Sequence, residues 1–277
     1  MKGIRADLHL HTAYSDGSLT PEYIVNNAIS KGIKLVAVTD HDCMEGCNNF
    51  LAATRQKGLL AVSGAEISAY CGNVKFHTLG YGMDENKFRL FLDKLYKGSC
   101  VRAEEIISKL NKIGVEITLN DVNLCRFSLT APIHVMHVAN ALVNRGYADT
   151  PFRAFGKYLA CGKPAFSSAC RPAPEETVKE ITAAGGFAVV AHPARIDLDG
   201  QALYDKIKSL KDSGLGGIEV YYSTHTNKET DYYNKLAKSL ELVVTGGSDT
   251  HHPVGNREIG KPEFFASPEL LEKLKID

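Results

Sequence analysis

The first sixteen residues place Asp7, His9, His11 and Asp16 in one run, D-L-H-L-H-T-A-Y-S-D. Residues i and i+2 of a strand face the same side, so Asp7, His9 and His11 project into one space with the spacing of metal ligands. The chain then repeatedly closes an apolar, β-branched run with a ligand-type residue. L-V-A-V-T-D-H ends in Asp40 and His41, L-A-V-S-G-A-E in Glu66, V-K-F-H in His77, F-A-V-V-A-H in His192, and L-V-V-T-G-G-S-D-T-H carries Asp249 and His251. A lone histidine at a strand end is usually a satisfied structural residue. Gathering this many imidazoles and carboxylates is costly unless a positive charge compensates them, and divalent cations supply that charge. The nine candidates are His9, His11, Asp16, His41, Glu66, His77, His192, Asp249 and His251, more than one ion needs. Nitrogen and carboxylate donors without thiolates suit borderline to hard divalent ions rather than a structural Cys-rich zinc site. Cys43 and Cys47 follow His41 closely but read as small apolar-like residues. Two or three close ions generate hydroxide at neutral pH and neutralise the entering and leaving oxygens of a phosphoester. Hydrolysis by metal-activated hydroxide is therefore the expected chemistry. No Walker-type or G-x-G-x-x-G loop and no nucleophile motif competes with it, and Ser15 and Ser248 read as turn residues.

Short apolar runs alternating with amphipathic segments must position these groups. The pattern predicts strands near 4–10, 34–39, 59–65, 74–81, 187–191, 216–222 and 241–247, and helices near 45–57, 85–97, 174–184, 201–213 and 226–239. Thr20-Pro21, a cap followed by proline at the first helical position, opens a further helix through Ile24, Val25, Ala28 and Ile29. Alternation of this kind is an α/β parallel sheet covered by helices, and its strands fit a barrel-like closure with the ligand-type residues at the C-terminal strand ends. Residues 98–166 break the rhythm with helical segments near 101–113 and 133–145 and no strand between them. They are expected to form an inserted helical cap over the rim that narrows the choice of substrate, leaving 1–97 and 167–277 as the barrel.

At 277 residues with 44% hydrophobic content the chain supports one large domain with a small insertion. Lys+Arg and Asp+Glu both number 32 and form no like-charged run, so the footprint for long nucleic acid is missing and small ligands are expected. No leader pattern and no membrane-length apolar stretch is read, and seven cysteines without paired spacing suit reduced thiols; the expected location is the cytoplasm. His134, His137, His225 and His252 are expected to have surface or packing roles. Asp7, Asp40 and Glu219 are candidates to orient metal-bound histidines.

The motifs D-L-H-L-H-T with S-D-G-S, V-T-D-H-D, G-A-E, F-H-T-L-G-Y, A-H-P-A-R, G-I-E-V-Y-Y and T-G-G-S-D-T-H span nearly the whole chain. In this order they resemble the polymerase and histidinol phosphatase (PHP) family of metallophosphoesterases, most closely its stand-alone nucleotide phosphatase and short-RNA exonuclease branch. The resemblance implies a distorted (β/α)7 TIM-like barrel holding two to three divalent ions, manganese, iron or zinc. It implies that His9 and His11 hold one ion with Glu66 and Asp249, that Asp16 and His41 hold a second with Glu66 bridging, and that His77 and His192 serve a third, with His251 completing the cluster. Arg195 matches a family position near the phosphate, where a planar cationic fork suits phosphate oxygens. One departure is visible. The branch usually carries an arginine just ahead of an H-I-A segment in the insertion, whereas here H-V-A at His137 follows P-I-H-V-M; His134, Arg126 and Arg171 are the candidate replacements. The implied activity is hydrolysis of small phosphomonoesters, nucleoside monophosphates or 3′,5′-bisphosphates. The alternatives are 5′-3′ exonuclease action on short oligoribonucleotides, histidinol phosphatase activity and a non-catalytic metal-binding module. The complete ligand set argues against the last, and the neutral charge leans toward the phosphatase.

Overall fold

The structure, a computed structural model, describes residues 3–255 and 257–276. Eight strands lie in the order β7-β6-β5-β4-β3-β2-β1-β8. They are β1 (Ile4–Asp7), β2 (Leu35–Val38), β3 (Leu60–Cys71), β4 (Val74–Tyr81), β5 (Phe187–Val190), β6 (Gly217–Tyr222), β7 (Val243–Gly247) and β8 (Phe264–Ala266). The segments after β1 and β7 close the sheet into a nearly complete barrel. Leu8 N donates to Gly246 O (3.2 Å), Asp249 N donates to His9 O (2.7 Å), and Leu10 forms a parallel bridge with Thr250. This closure ends regular pairing of the first strand at Asp7, short of the expected residue 10. The eighth strand, missed in the sequence, pairs antiparallel with β1.

The chain departs from an all-parallel barrel at β4, which runs antiparallel to both β3 and β5. Cys71 pairs with Val74 across Gly72-Asn73, and Gly72 takes the positive φ (59°) that such a two-residue turn asks of its first position. As a result the rim receives the N-terminal half of β4, and His77 reaches it from near that strand's start rather than its end. Glu66 likewise lies mid-strand, since β3 continues to Cys71.

Helices α1 (Pro21–Ser30), α2 (Cys47–Lys57), α7 (Pro174–Ala183), α8 (Gly200–Asp212), α9 (Asn227–Ser239) and α10 (Pro268–Lys273) accompany the barrel strands. The Thr20 side chain accepts from Tyr23 N, so the cap expected before α1 is present. Between β4 and β5 the chain forms α3 (Glu85–Lys112), α4 (Leu119–Asn123), α5 (Val135–Asn144) and α6 (Pro151–Ala154), the last followed by a π-helical turn at Phe155–Leu159. The two helices expected at 85–97 and 101–113 are one helix, α3. Gly98 within a helix costs only about 1 kcal/mol, and the neighbouring Ser99 hydroxyl donates to Tyr96 O (2.7 Å) and accepts Ile133 N (2.9 Å). Gly98 also lets the helix approach Cys170, whose carbonyl oxygen would lie 2.9 Å from an added Cβ. Helix α3 serves two cores: Phe88, Phe91 and Leu95 pack with the barrel, whereas Ala103, Ile106, Ile107 and Leu110 pack with Ile117, Val122, Val138 and Leu142. No helix among the described residues is long and apolar enough to cross a membrane.

Candidate metal centre

The barrel closure sets the site's backbone first. Asp7 accepts Ser248 N (2.9 Å) and Gly260 N (2.7 Å), with His9 N more distant at 3.4 Å. Asp40 accepts Thr12 N (2.8 Å), Thr12 Oγ1 (2.6 Å) and Ser15 Oγ (2.6 Å), shaping the loop that presents Asp16. Of the three carboxylates expected to orient imidazoles, Asp7 and Asp40 therefore hold backbone and hydroxyls, and only Glu219 touches a ring. Its Oε1 lies 2.9 Å from His9 Nδ1 and its Oε2 accepts His192 N at 2.7 Å. Gly247 is required here because an added Cβ would sit 2.3 Å from that of His9. His192 and Asp249 take positive φ values of 28° and 53°, local strain of the kind stored at functional sites.

These supports bring all nine candidate side chains together. Around one point lie His9 Nε2, His11 Nε2, Glu66 Oε2 and Asp249 Oδ1, with N-to-O separations of 3.1 to 3.5 Å. A second group is His11, Asp16, His41 and His251, in which His251 Nε2 is 3.3 Å from Asp16 Oδ1. A third is His41, Glu66 and His77, with His77 Nδ1 2.5 Å from Glu66 Oε1. His192 Nε2 approaches the same Glu66 oxygen at 2.8 Å. His251, expected to complete the cluster, stacks its ring on His11 (4.0 Å) beside Asp16.

The donor atoms fit cations. His9 Nε2, His11 Nε2, Glu66 Oε2, Asp249 Oδ1 and Asp16 Oδ1 are buried without any hydrogen-bond partner, an arrangement that costs several kcal/mol in total unless something positive fills it. Glu219 Oε1 at 2.9 Å from His9 Nδ1 is placed to accept its N–H, which would free Nε2 at the shared point to bind a cation, and Asp249 O stands likewise 2.9 Å from His251 Nδ1. Charge tells the same story. Burial alone would raise the pKa of Glu66, Asp16 and Asp249, yet the surrounding histidines hold all three well below the usual carboxylate range. Burial opposes charge on His11 as well, but Asp249 and Glu66 push its pKa up to about 10. The cluster is capable of holding divalent ions.

The insertion reaches this cluster through His134 and His137, expected to have surface or packing roles. Both are buried. His134 stacks on His41 (4.4 Å, 11°) and places Nδ1 2.9 Å from Asp16 Oδ2. His137 accepts His134 N at Nδ1 (3.0 Å), so its Nε2–H donates to Ser15 O (2.7 Å). Arg126 turns away, to Asn123 Oδ1 and Leu129 O. His225 bonds Val220 O, and His252 meets Ser18 Oγ at the surface. Cys43 and Cys47 lie outside all three groups. Burial pushes both thiols up, Cys47 to about 12, so neither offers a thiolate.

Cations line one arc of the rim. Arg195 Nη1 is 3.1 Å from Tyr222 Oη and 3.7 Å from Asp249 Oδ2, with half its side chain exposed. Arg257, which the sequence did not single out, donates to Asp249 O (3.0 Å), pairs with its carboxylate and lies over the Tyr222 ring (5.4 Å). Arg171 pairs with Asp42. Burial and the nearby Arg171 lower the pKa of Lys75 to about 8. No motif marks Arg257 or Lys75, because each joins the site through a fold contact rather than a ligand pattern.

Residues 7–131 match the PHP domain family. The 3′,5′-nucleoside bisphosphate phosphatase of Chromobacterium violaceum is 32% identical over 261 residues, 93% of this chain and 91% of that protein. A 5′-3′ exoribonuclease of Haemophilus influenzae is 31% identical over 92% of this chain and 93% of its own length. A solved structure described as a metal-dependent phosphoesterase from Bifidobacterium adolescentis superposes with a TM-score of 0.81 at 26% identity, covering 97% of this chain and 94% of that one.

Proposed function

Since the chain belongs to the PHP domain family and is a phosphoester hydrolase, we propose that it removes a phosphate from nucleoside 3′,5′-bisphosphates or related small phosphomonoesters, with the nine clustered side chains as ligands of two to three manganese, iron or zinc ions. The observation that carries this reading is the set of ligand-type atoms His9 Nε2, His11 Nε2, Glu66 Oε2 and Asp249 Oδ1, buried without hydrogen-bond partners and converging beside a cationic arc. Ions held there would lower the pKa of water and neutralise charge on the phosphoryl oxygens. The chain's own residues do the rest. Glu219 keeps the His9 lone pair aimed inward, and Tyr222 Oη donates to Asp249 Oδ2 (2.7 Å), leaving Oδ1 for the cluster. Arg195 and Arg257 bring two guanidiniums to one carboxylate, so positive charge remains to grip a phosphate by its planar fork. The inserted helices are a cap domain, and His134 lines the wall they contribute. We assign the chain to the cytoplasm, in keeping with its cysteines, all free.

A second reading, exonuclease action on short RNA, draws on Phe127. This cap residue is 68% exposed and meets Tyr14 edge-on at 5.1 Å, a surface on which bases could stack. Assaying nucleoside monophosphates, 3′,5′-bisphosphates and di- to pentanucleotides with manganese, iron or zinc separates the two. Bisphosphate turnover lost on chelation and restored by metal is expected. Undiminished activity in fully metal-free protein would overturn the reading.

A further inference from the structure

We propose that Lys75 and Arg171 form a second phosphate subsite, one strand around the rim from Arg195, which holds the substrate phosphate that is not being hydrolysed. The proposal rests on the phosphoester reading above and gives its substrate class a structural basis. Lys75 precedes His77 by two residues on β4 and so shares its face of the strand. His77 touches Glu66, which places the lysine one strand pitch outside the cluster. Arg171 arrives at the same place from the returning end of the insertion. It pairs with Asp42, whose other oxygen accepts Ser68 N (2.8 Å), and the Ser68 hydroxyl lies 3.4 Å from His77 Nε2. The adjoining backbone is tied down as well, because Tyr70, paired with Lys75 across the ladder, donates its N–H to Pro172 O (3.0 Å).

The charges do not balance here. Asp42 is matched by Arg171, and among the described residues no carboxylate lies within ion-pair distance of Lys75 and no side-chain hydrogen bond ties its ammonium. A partly buried ammonium beside a guanidinium costs free energy; Glu66 and Asp42 offset part of that cost and Arg195 adds to it, and an anion joining the lysine and the arginine would offset the rest. A phosphate dianion is the group that such a lysine–arginine pair accommodates, the lysine as a point charge and the arginine as a fixed donor. The arc then offers two anion positions, Arg195 with Arg257 and Lys75 with Arg171.

The test compares adenosine 3′,5′-bisphosphate with adenosine 5′-monophosphate, using manganese-loaded wild type and Lys75→Met. The expected result is a ten- to hundredfold fall in the ratio of kcat/KM for the bisphosphate to that for the monophosphate, with Lys75→Arg recovering most of it. Calorimetric titration with the bisphosphate before metal is supplied should weaken at least about tenfold in Lys75→Met. An unmoved ratio in a protein that hydrolyses both compounds would overturn this subsite alone. Failure of the wild type to hydrolyse either would overturn the phosphoester reading and the subsite together.

Discussion

The barrel and the inserted helices both place histidines against the same cluster, but they hold them differently. His9 is fixed from three directions: its backbone by the strand closure, its ring nitrogen by Glu219 and its Cβ by the Gly247 contact. His134 stands at the start of a helix, its ring against His41 and Asp16, but its backbone is held by His137, whose own anchor is a single bond to Ser15 O across the gap between insertion and barrel. Residues that hold a charge in place are built into the sheet, whereas residues that shape the space above it hang on a few separable contacts.

If this contrast is right, substitutions on the two sides should differ in kind as well as size. Glu66→Gln should be the most damaging, because Glu66 lies within 3.3 Å of His9, His11, His41, His77 and His192 at once. Phosphatase activity should fall by on the order of a thousandfold or more, about 4 kcal/mol, together with metal content measured by plasma emission. An active, metal-replete Glu66→Gln protein would break the comparison at its barrel end. Arg195→Lys keeps the charge but loses the fork, and should lower kcat/KM by about ten- to a hundredfold while metal content and melting temperature stay near wild type. A large fall in melting temperature would make Arg195 a structural partner of Asp249 instead.

The smallest effect is expected on the insertion side. His137→Asn should cost about 1–3 kcal/mol in urea unfolding and raise KM severalfold more than it lowers metal content. Its pH dependence has a definite sign. Burial, then His134, lowers the His137 pKa to about 4, so the unfolded chain, with the ordinary value near 6.5, binds more protons between those limits. The wild type therefore loses stability as pH falls through this window, and the gap to His137→Asn should narrow between pH 7 and pH 4. A gap that widens on acidification would show that His137 is charged in the fold.

The sequence carried the cluster better than the architecture around it. His9 and His11, Asp40 and His41, and Asp249 and His251 could be read because ligand types recur at short spacing beside apolar runs, and both are local signals. The reversed direction of β4 was legible too, had Gly72-Asn73 between two apolar runs been taken as a hairpin turn. The eighth strand spans only Phe264–Ala266, too short for periodicity to register. The continuity of α3 across Gly98 and the burial of His134 depend on contacts with Ile133, Cys170 and Asp16, distant in sequence. Arg257 and Lys75 escaped for the same reason, since a cation's place on a rim is decided by what folds against it.

The central claim is that the barrel's unpartnered donors exist to hold divalent ions. Diffraction from crystals soaked in manganese, recorded at a wavelength where manganese scatters anomalously, tests it most directly. The account predicts an anomalous peak about 2–2.5 Å from His9 Nε2, His11 Nε2, Glu66 Oε2 and Asp249 Oδ1 together, coordination distances for such donors, with further peaks beside Asp16 and His77. A map with no peak among these four atoms, or with manganese bound only elsewhere on the molecule, would contradict it.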